Sequence, residues 1–169
     1  MINFMAEHIL YGKRKLCYTE VTDFTDFQGI GRDPLYKRFD SVYAVIEKNI
    51  EPQYRDFLAH PIYSNEDQIL WFVREWNDVP CAYKELSATD KVKYSKTKEK
   101  TIAVYKEVLK NLSGEDKQIF IGAVKYIDED FMFCYDDKVV VVAWGMTPDL
   151  HKHVVKGAVI YDLSIQTNH

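Results

Sequence analysis

The stretch FMFCYDDKVVVVAW, residues 131–144, carries the pattern that decides the fold. Two apolar runs, 131–135 and 138–144, flank the pair Asp136-Asp137, which suits a two-residue hairpin turn. The second run lacks the alternation of a half-solvated strand, so we predict that both of its faces are covered. With a third run at 154–162, these segments predict a small antiparallel sheet that has 138–144 at its centre.

Helical periodicity lies mostly on the N-terminal side of this hairpin. Apolar residues spaced three and four apart predict three to four helices, at about 34–48, 52–59, 88–111 and 114–126. Asp33 is a suitable N-cap for the first, Ser87 or Thr89 can cap the long third, and Ser113 opens the last. The sequence therefore predicts an α+β domain in which the sheet packs against the helices.

Two segments are harder to assign. Residues 65–76 fit either a helix or a strand of a hairpin, and their β-branched and aromatic content favours the strand. Residues 1–30 show no clear period and are expected to form a less regular N-terminal arm. The length of 169 residues fits a single domain over 1–169.

Composition excludes several classes of protein. No run approaches the roughly 18 apolar residues of a membrane helix, and the N-terminus lacks the features of a signal peptide. Cys17, Cys81 and Cys134 are far apart and form no CxxC pair, which predicts free thiols in a reducing compartment. We therefore expect a soluble, cytoplasmic protein of bacterial type that does not bind membranes.

One segment has the residue types of a metal site. Asp149, His151 and His153 place a carboxylate and two imidazoles within five residues, and His8 or His60 would have to supply a further ligand. This arrangement predicts, as an alternative, a small metal-dependent hydrolase. The competing interpretation is an exposed polar loop between two strands.

Other chemical motifs are incomplete. The glycine pair in 29–33 precedes a predicted helix, but Pro34 stands where a dinucleotide-binding motif requires glycine. No nucleophile motif is present, and the acids 128–130 are equally typical of a solvated turn. We therefore predict no enzymatic activity and no cofactor.

Charge is distributed unevenly along the chain. Residues 90–110 contain seven lysines, whereas 126–137 contain five acids. This asymmetry predicts a polarised surface that steers a protein partner. We therefore expect a non-catalytic protein-protein interaction protein, such as an immunity protein, an adaptor or an assembly component. The Lys-rich helix 90–110 allows an anion or nucleic-acid binder as an alternative, although a net charge of −4 argues against nucleic acid. The expected contact residues are Trp71, Trp76, Tyr83, Asp128, Glu129 and Asp130.

Overall fold

The computed structural model describes residues 10–149, 160–161 and 163. Its three α-helices are α1 (Phe39–Asn49), α2 (Ala88–Asn111) and α3 (Gly114–Val124). Its strands are β1 (Lys13–Glu20), β2 (Phe24–Phe27), β3 (Gly29–Ile30), β4 (Asp33–Pro34), β5 (His60–Ser64), β6 (Gln68–Arg74), β7 (Cys81–Ala82), β8 (Ile127–Asp128), β9 (Met132–Tyr135), β10 (Lys138–Val141), β11 (Met146–Pro148) and β12 (Ile160–Tyr161). The fold is α+β, as predicted.

The strands form two three-stranded antiparallel sheets and three short pairs. The first sheet has the order β1-β6-β5 and the second β10-β9-β7. A parallel bridge between Leu58 and Val141 links the end of β10 to the segment before β5. The short pairs are β11-β2, β12-β8 and β3-β4. Strands therefore occur throughout the described chain, rather than only in its last third.

The contested segment 65–76 is a strand, which confirms the favoured interpretation. Ile69, Trp71 and Val73 of β6 are buried, and the residues between them are half-buried. This period of two places one face of the first sheet on the core. The segment expected to be an irregular arm contains β1, which pairs with β6 over almost its whole length.

The hairpin at 131–144 is present, but its second strand is shorter than predicted. Asp136 and Asp137 take φ values of 47° and 63°, as the two central residues of a type I′ turn require. The strand predicted over 138–144 ends at Val141, because Ala143 adopts a φ of 55° that a strand cannot contain. Most of the strand predicted over 154–162 lies outside the described residues, and Ile160–Tyr161 pairs with β8.

Two predicted helices need correction. The helix predicted over 34–48 begins only at Phe39 and runs to Asn49, after a separate 3₁₀ turn. Asp33 does not cap it, since its carboxylate instead accepts a hydrogen bond from Arg38 at 3.2 Å. The helix predicted over 52–59 is only a 3₁₀ turn, because the backbone of Phe57 and Ala59 bonds to Val141 instead of to a helical turn.

The other two helices agree better with the sequence. The predicted span 88–111 is confirmed, and the Ser87 side chain accepts from the backbone N–H of Asp90 at 3.2 Å. The last helix ends at Val124 instead of 126, and Ser113 makes no capping bond with its side chain. Although α2 has 24 residues, it is too polar to cross a bilayer, and the other described helices are too short.

One apolar core joins helices and sheets. Trp71 of the first sheet meets Trp144 edge-on at 6.0 Å between ring centroids, and Trp144 donates to the Ala59 carbonyl at 2.8 Å. On the other side, Tyr105 of α2 stacks on Phe120 of α3 at 5.7 Å. These aromatic contacts place α1, α2 and α3 around the buried sheet faces.

Candidate functional site

The aromatic residues expected to contact a partner differ in exposure. Trp71 is 0% exposed and donates to the Thr19 hydroxyl at 2.9 Å, so it is a core residue whose polar atom is satisfied. Tyr83 is also buried. Trp76 alone of the three is half-buried, and the Arg14 guanidinium lies 4.4 Å from the centroid of its ring. Of these aromatic side chains, only Trp76 therefore remains available to a partner.

The acids at 128–130 face inward. Asp128 is 4% exposed and its carboxylate accepts the backbone N–H of Asp130 at 2.9 Å. Burial, assisted by the charge of Glu129, raises the pKa of Asp128 to about 6 against an opposing effect of Lys84. Asp130 forms an ion pair with Lys84. These carboxylates are engaged within the fold, so they do not form an open acidic surface.

Two lysines of α2 form ion pairs with acids of the segment 126–137. Lys98 is 5% exposed, and its amine donates to Glu129 at 2.7 Å and to the Tyr83 hydroxyl at 3.2 Å. Lys93 pairs with Asp137 on the hairpin turn. Part of the positive charge of α2 is therefore paired with the acidic segment that follows it. This pairing weakens the case for a nucleic-acid surface on α2.

The predicted metal ligands are only partly described. Asp149 is half-buried, and its backbone N–H bonds to the Asp23 carbonyl at 2.7 Å. His151 and His153 lie outside the described residues. Within the described ranges, no three side chains of the ligand types His, Cys, Asp and Glu cluster as a metal site would require. The metal-dependent hydrolase remains a prediction without structural support.

The glycine motif at 29–33 forms a tight hairpin and does not open a helix. Gly29 and Ile30 pair with Pro34 and Asp33, and Gly31 turns the chain with a φ of 60°. A side chain at Gly29 would meet the Asp33 carbonyl oxygen at 2.7 Å, which explains the glycine there. In the described chain, no α-helix begins directly after this hairpin, since α1 starts at Phe39, so the glycine pair does not precede a helix N-terminus as predicted.

One face of the first sheet carries apolar side chains that the core does not use. Tyr18, Leu70 and Ile62 are direct cross-strand partners, and Phe72 is the next residue of β6 on the same face. Tyr18 is 55% exposed and the other three are half-buried. None of the four packs against the core cluster. We call these four residues the outer face.

A cavity of about 420 Å³ lies where α1 meets the end of the same sheet. It is lined by Lys13, Phe39, Asp40, Tyr43, Ala44, Glu47, His60 and Arg74, and we call it the Lys13–His60 cavity. The Lys13 amine lies 3.0 Å from His60 Nδ1 and 5.5 Å from the centroids of the Phe39 and Tyr43 rings. His60 is 5% exposed and packs on Phe39 at 4.4 Å.

Burial determines the charge states in this cavity. It lowers the pKa of His60 to about 3, with a smaller effect from Lys13, so the imidazole is neutral at pH 7. Burial also lowers the pKa of Lys13 to about 8, and the positive charge of Arg74 acts in the same direction. The ion pair of Arg74 with Asp56 at 3.3 Å offsets only part of this local positive charge.

Sequence reasoning missed this cavity for identifiable reasons. Lys13 belongs to the segment that was expected to be an arm, and His60 was considered as a further ligand for the metal site at Asp149, His151 and His153. Strand pairing also brings Cys81 opposite Cys134, a second proximity that the sequence did not predict, and both thiols are free. In each case the two residues are more than 40 positions apart in the sequence, and only the pairing of strands brings them together. A single sequence carries no local signal for such pairing.

The described residues define an α+β protein that combines an apolar sheet face with a cavity lined by hydrogen-bond donors. Comparisons of the chain with family models, with curated proteins and with solved structures give no match. The functional argument therefore rests on the two surfaces themselves.

Proposed function

We propose that this chain is a non-catalytic protein that binds another protein through the outer face. The observation that carries the proposal is the cross-strand row of Tyr18, Leu70 and Ile62. Three apolar side chains side by side on a solvent-accessible sheet face form a patch of the kind that marks protein interaction sites. Tyr at such a patch also supplies a large ring with a polar tip, a combination enriched in binding interfaces.

Charges at the two ends of the outer face give the partner a defined polarity. Lys15 lies opposite Phe72 at one end, and Lys13 lies opposite Arg74 two pairs further on. At the other end Glu20 pairs with Gln68, and the Gln68 amide donates to its carboxylate at 3.0 Å. A complementary partner therefore presents an apolar strip with acidic side chains near the Lys15 end.

The face, and not the edge, of the sheet is the surface proposed for docking. β1 is at the edge of the sheet, where an exposed ladder invites another strand. However, the pairing of β1 shifts between Lys15 and Cys17, and the strand begins with three basic residues, Lys13 to Lys15. Bulges and lysines are the features by which proteins prevent edge pairing.

The half-buried Trp76 lies apart from this interface. It stacks under Arg14, which β1 carries on the side opposite to Lys15 and Lys13 and therefore opposite to the outer face. Its ring also meets Tyr135 at 6.3 Å. The free thiols of the chain are consistent with a cytoplasmic setting for such a complex.

Quantitative co-purification from an extract of the source organism tests the proposal. The baits are the wild-type chain, Leu70→Thr on the outer face, and Val92→Thr as a control, since Val92 is 61% exposed on α2. Threonine keeps the β-propensity of a strand residue, and circular dichroism checks that each variant is folded. We expect a stoichiometric partner with the wild type and the Val92 variant, and loss of it with Leu70→Thr.

Two results would count against this function. Recovery of the same proteins by all three baits, or of none, would remove the role of the outer face. Light scattering that shows a homodimer of the wild type, converted to a monomer by Leu70→Thr, would assign the face to a second copy of this chain instead.

A further inference from the structure

We propose that the Lys13–His60 cavity is a binding site for a small organic monocarboxylate. This site is separate from the outer face in its chemistry, because it is a concave space with polar groups at its end. Its volume of about 420 Å³ lies within the range of small-molecule sites. Lys13 and Arg74 also lie at the basic end of the outer face, so the cavity adjoins that face, but the proposal does not require a protein partner.

The inner end of the cavity offers hydrogen-bond donors. Because the charged Lys13 amine donates to His60 Nδ1, that nitrogen carries no proton, and the neutral imidazole must hold its proton on Nε2. The described residues offer this Nε2–H no acceptor, although His60 is 95% buried and lines the cavity. The Lys13 ammonium has three N–H groups and gives one to His60. Two of its N–H groups therefore remain to donate to a ligand oxygen in the cavity, whereas the Nε2–H of His60 points away from Lys13 and cannot donate to the same oxygen.

Lys13 also lacks a counter-ion of its own. Asp56 is the only acid among the described residues whose charge raises the pKa of Lys13, and Asp56 is already paired with Arg74. Lys13 and Arg74 are directly opposite one another in the strand pairing, an arrangement that is unfavourable for like charges. An anion beside the Lys13 amine would supply the ion-pair partner that the described residues do not give it.

The remaining lining selects the type of anion. Phe39 and Tyr43 supply aromatic walls that suit an apolar or planar ligand body. Asp40 and Glu47, both exposed, also line the cavity and oppose negative charge, so they limit a ligand to the one charge that Lys13 can pair with. A monocarboxylate with an apolar body satisfies both conditions, whereas inorganic phosphate satisfies neither.

Titration calorimetry with benzoate tests the site in the whole chain at roughly pH 7, where Lys13 is largely protonated. Inorganic phosphate and neutral benzamide are the comparison ligands. Lys13→Met keeps the length of the side chain without its charge, and Lys15→Met is a matched control on the same strand face. We expect saturable binding of benzoate, weakened by about tenfold or more in Lys13→Met and unchanged in Lys15→Met. Binding should also weaken as the pH rises above about 8, because Lys13 then loses its proton.

A second measurement keeps the proposal testable if Lys13→Met does not fold. Nitrogen chemical shifts of the imidazoles, with His60 assigned through a His60→Gln variant, report the tautomer directly. We expect a proton on Nε2 of His60 and a shift of that signal on addition of benzoate. Absence of saturable benzoate binding, equal binding of benzamide, or an unshifted His60 signal at saturating benzoate would overturn the proposal.

Discussion

Replacing Lys98 with methionine tests whether the lysine-rich segment and the acidic segment of the sequence form ion pairs inside the fold. The Lys98 side chain is 6% exposed and that of Glu129 is 13% exposed, and their charged atoms are 2.7 Å apart. Methionine preserves most of the volume of lysine but removes its charge and its bond to the Tyr83 hydroxyl. Glu129 then keeps a negative charge in a largely dry environment without this partner.

The cost follows from this burial. Breaking a buried ion pair by removing one partner destabilises a protein by about 3 to 5 kcal/mol, and the residual exposure of Glu129 places the expected loss near the lower end, at about 3 kcal/mol. With Glu129→Met added, neither charge remains, so the double variant should return to within about 1 kcal/mol of the wild type. Lys100→Met, which makes the same chemical change at an exposed position of α2, should cost under about 0.5 kcal/mol.

Urea denaturation followed by circular dichroism measures these differences. For a slope of about 2 kcal/mol per molar urea, a loss of 3 kcal/mol lowers the midpoint by roughly 1.5 M. The wild type, the single variants Lys98→Met and Glu129→Met, and the double variant form a double-mutant cycle. This cycle separates the interaction of the ion pair from loss of packing. If Lys98→Met shifted the midpoint no more than Lys100→Met, or if the double variant were the least stable of the four, the pair would not be a buried counter-ion pair.

The remaining predictions concern other polar groups of the fold. Lys13→Met should leave stability unchanged or raise it at pH 7 in thermal melts, since the lowered pKa shows that the fold disfavours this charge. Asp137→Gly should raise the melting temperature, because glycine adopts the φ of 63° without strain. Asp136→Gly should lower it, because it removes the carboxylate that accepts the backbone N–H groups of Asn77 and Asp78 at 2.9 and 3.1 Å. Asp128→Asn should stabilise the protein at pH 7 by about 1 to 2 kcal/mol in urea titrations, and the gain should vanish below about pH 4; with a folded pKa raised to about 6, wild-type stability falls as the pH rises from about 4 to 6. Cys134, whose pKa burial raises to about 12, should react with a thiol reagent only after unfolding; fast reaction of the native protein would contradict its placement.

Local signals account for the parts of the fold that the sequence predicts well. The Asp136-Asp137 turn and the Ser87 cap each depend on residues within a few positions of one another. The alternating burial of β6 likewise follows from the pattern of residue types within that strand. In contrast, the extended path of residues 57–59 follows from hydrogen bonds to Val141, more than 80 residues away. Helical periodicity around Phe57 cannot reveal that competing partner.

The two buried lysines show why charge along a sequence is a poor guide to function. Lys98 and Lys13 both lie in environments that disfavour an isolated charge. The fold supplies Lys98 with Glu129 and a tyrosine hydroxyl, so this lysine is explained by stability. For Lys13 the fold supplies a neutral imidazole and, directly opposite, the cation of Arg74. Its amine also lies 5.5 Å from the centroids of the Phe39 and Tyr43 rings, but no carboxylate forms an ion pair with it among the described residues. The proposed carboxylate ligand would supply that missing partner, whereas Lys98 already has one in Glu129.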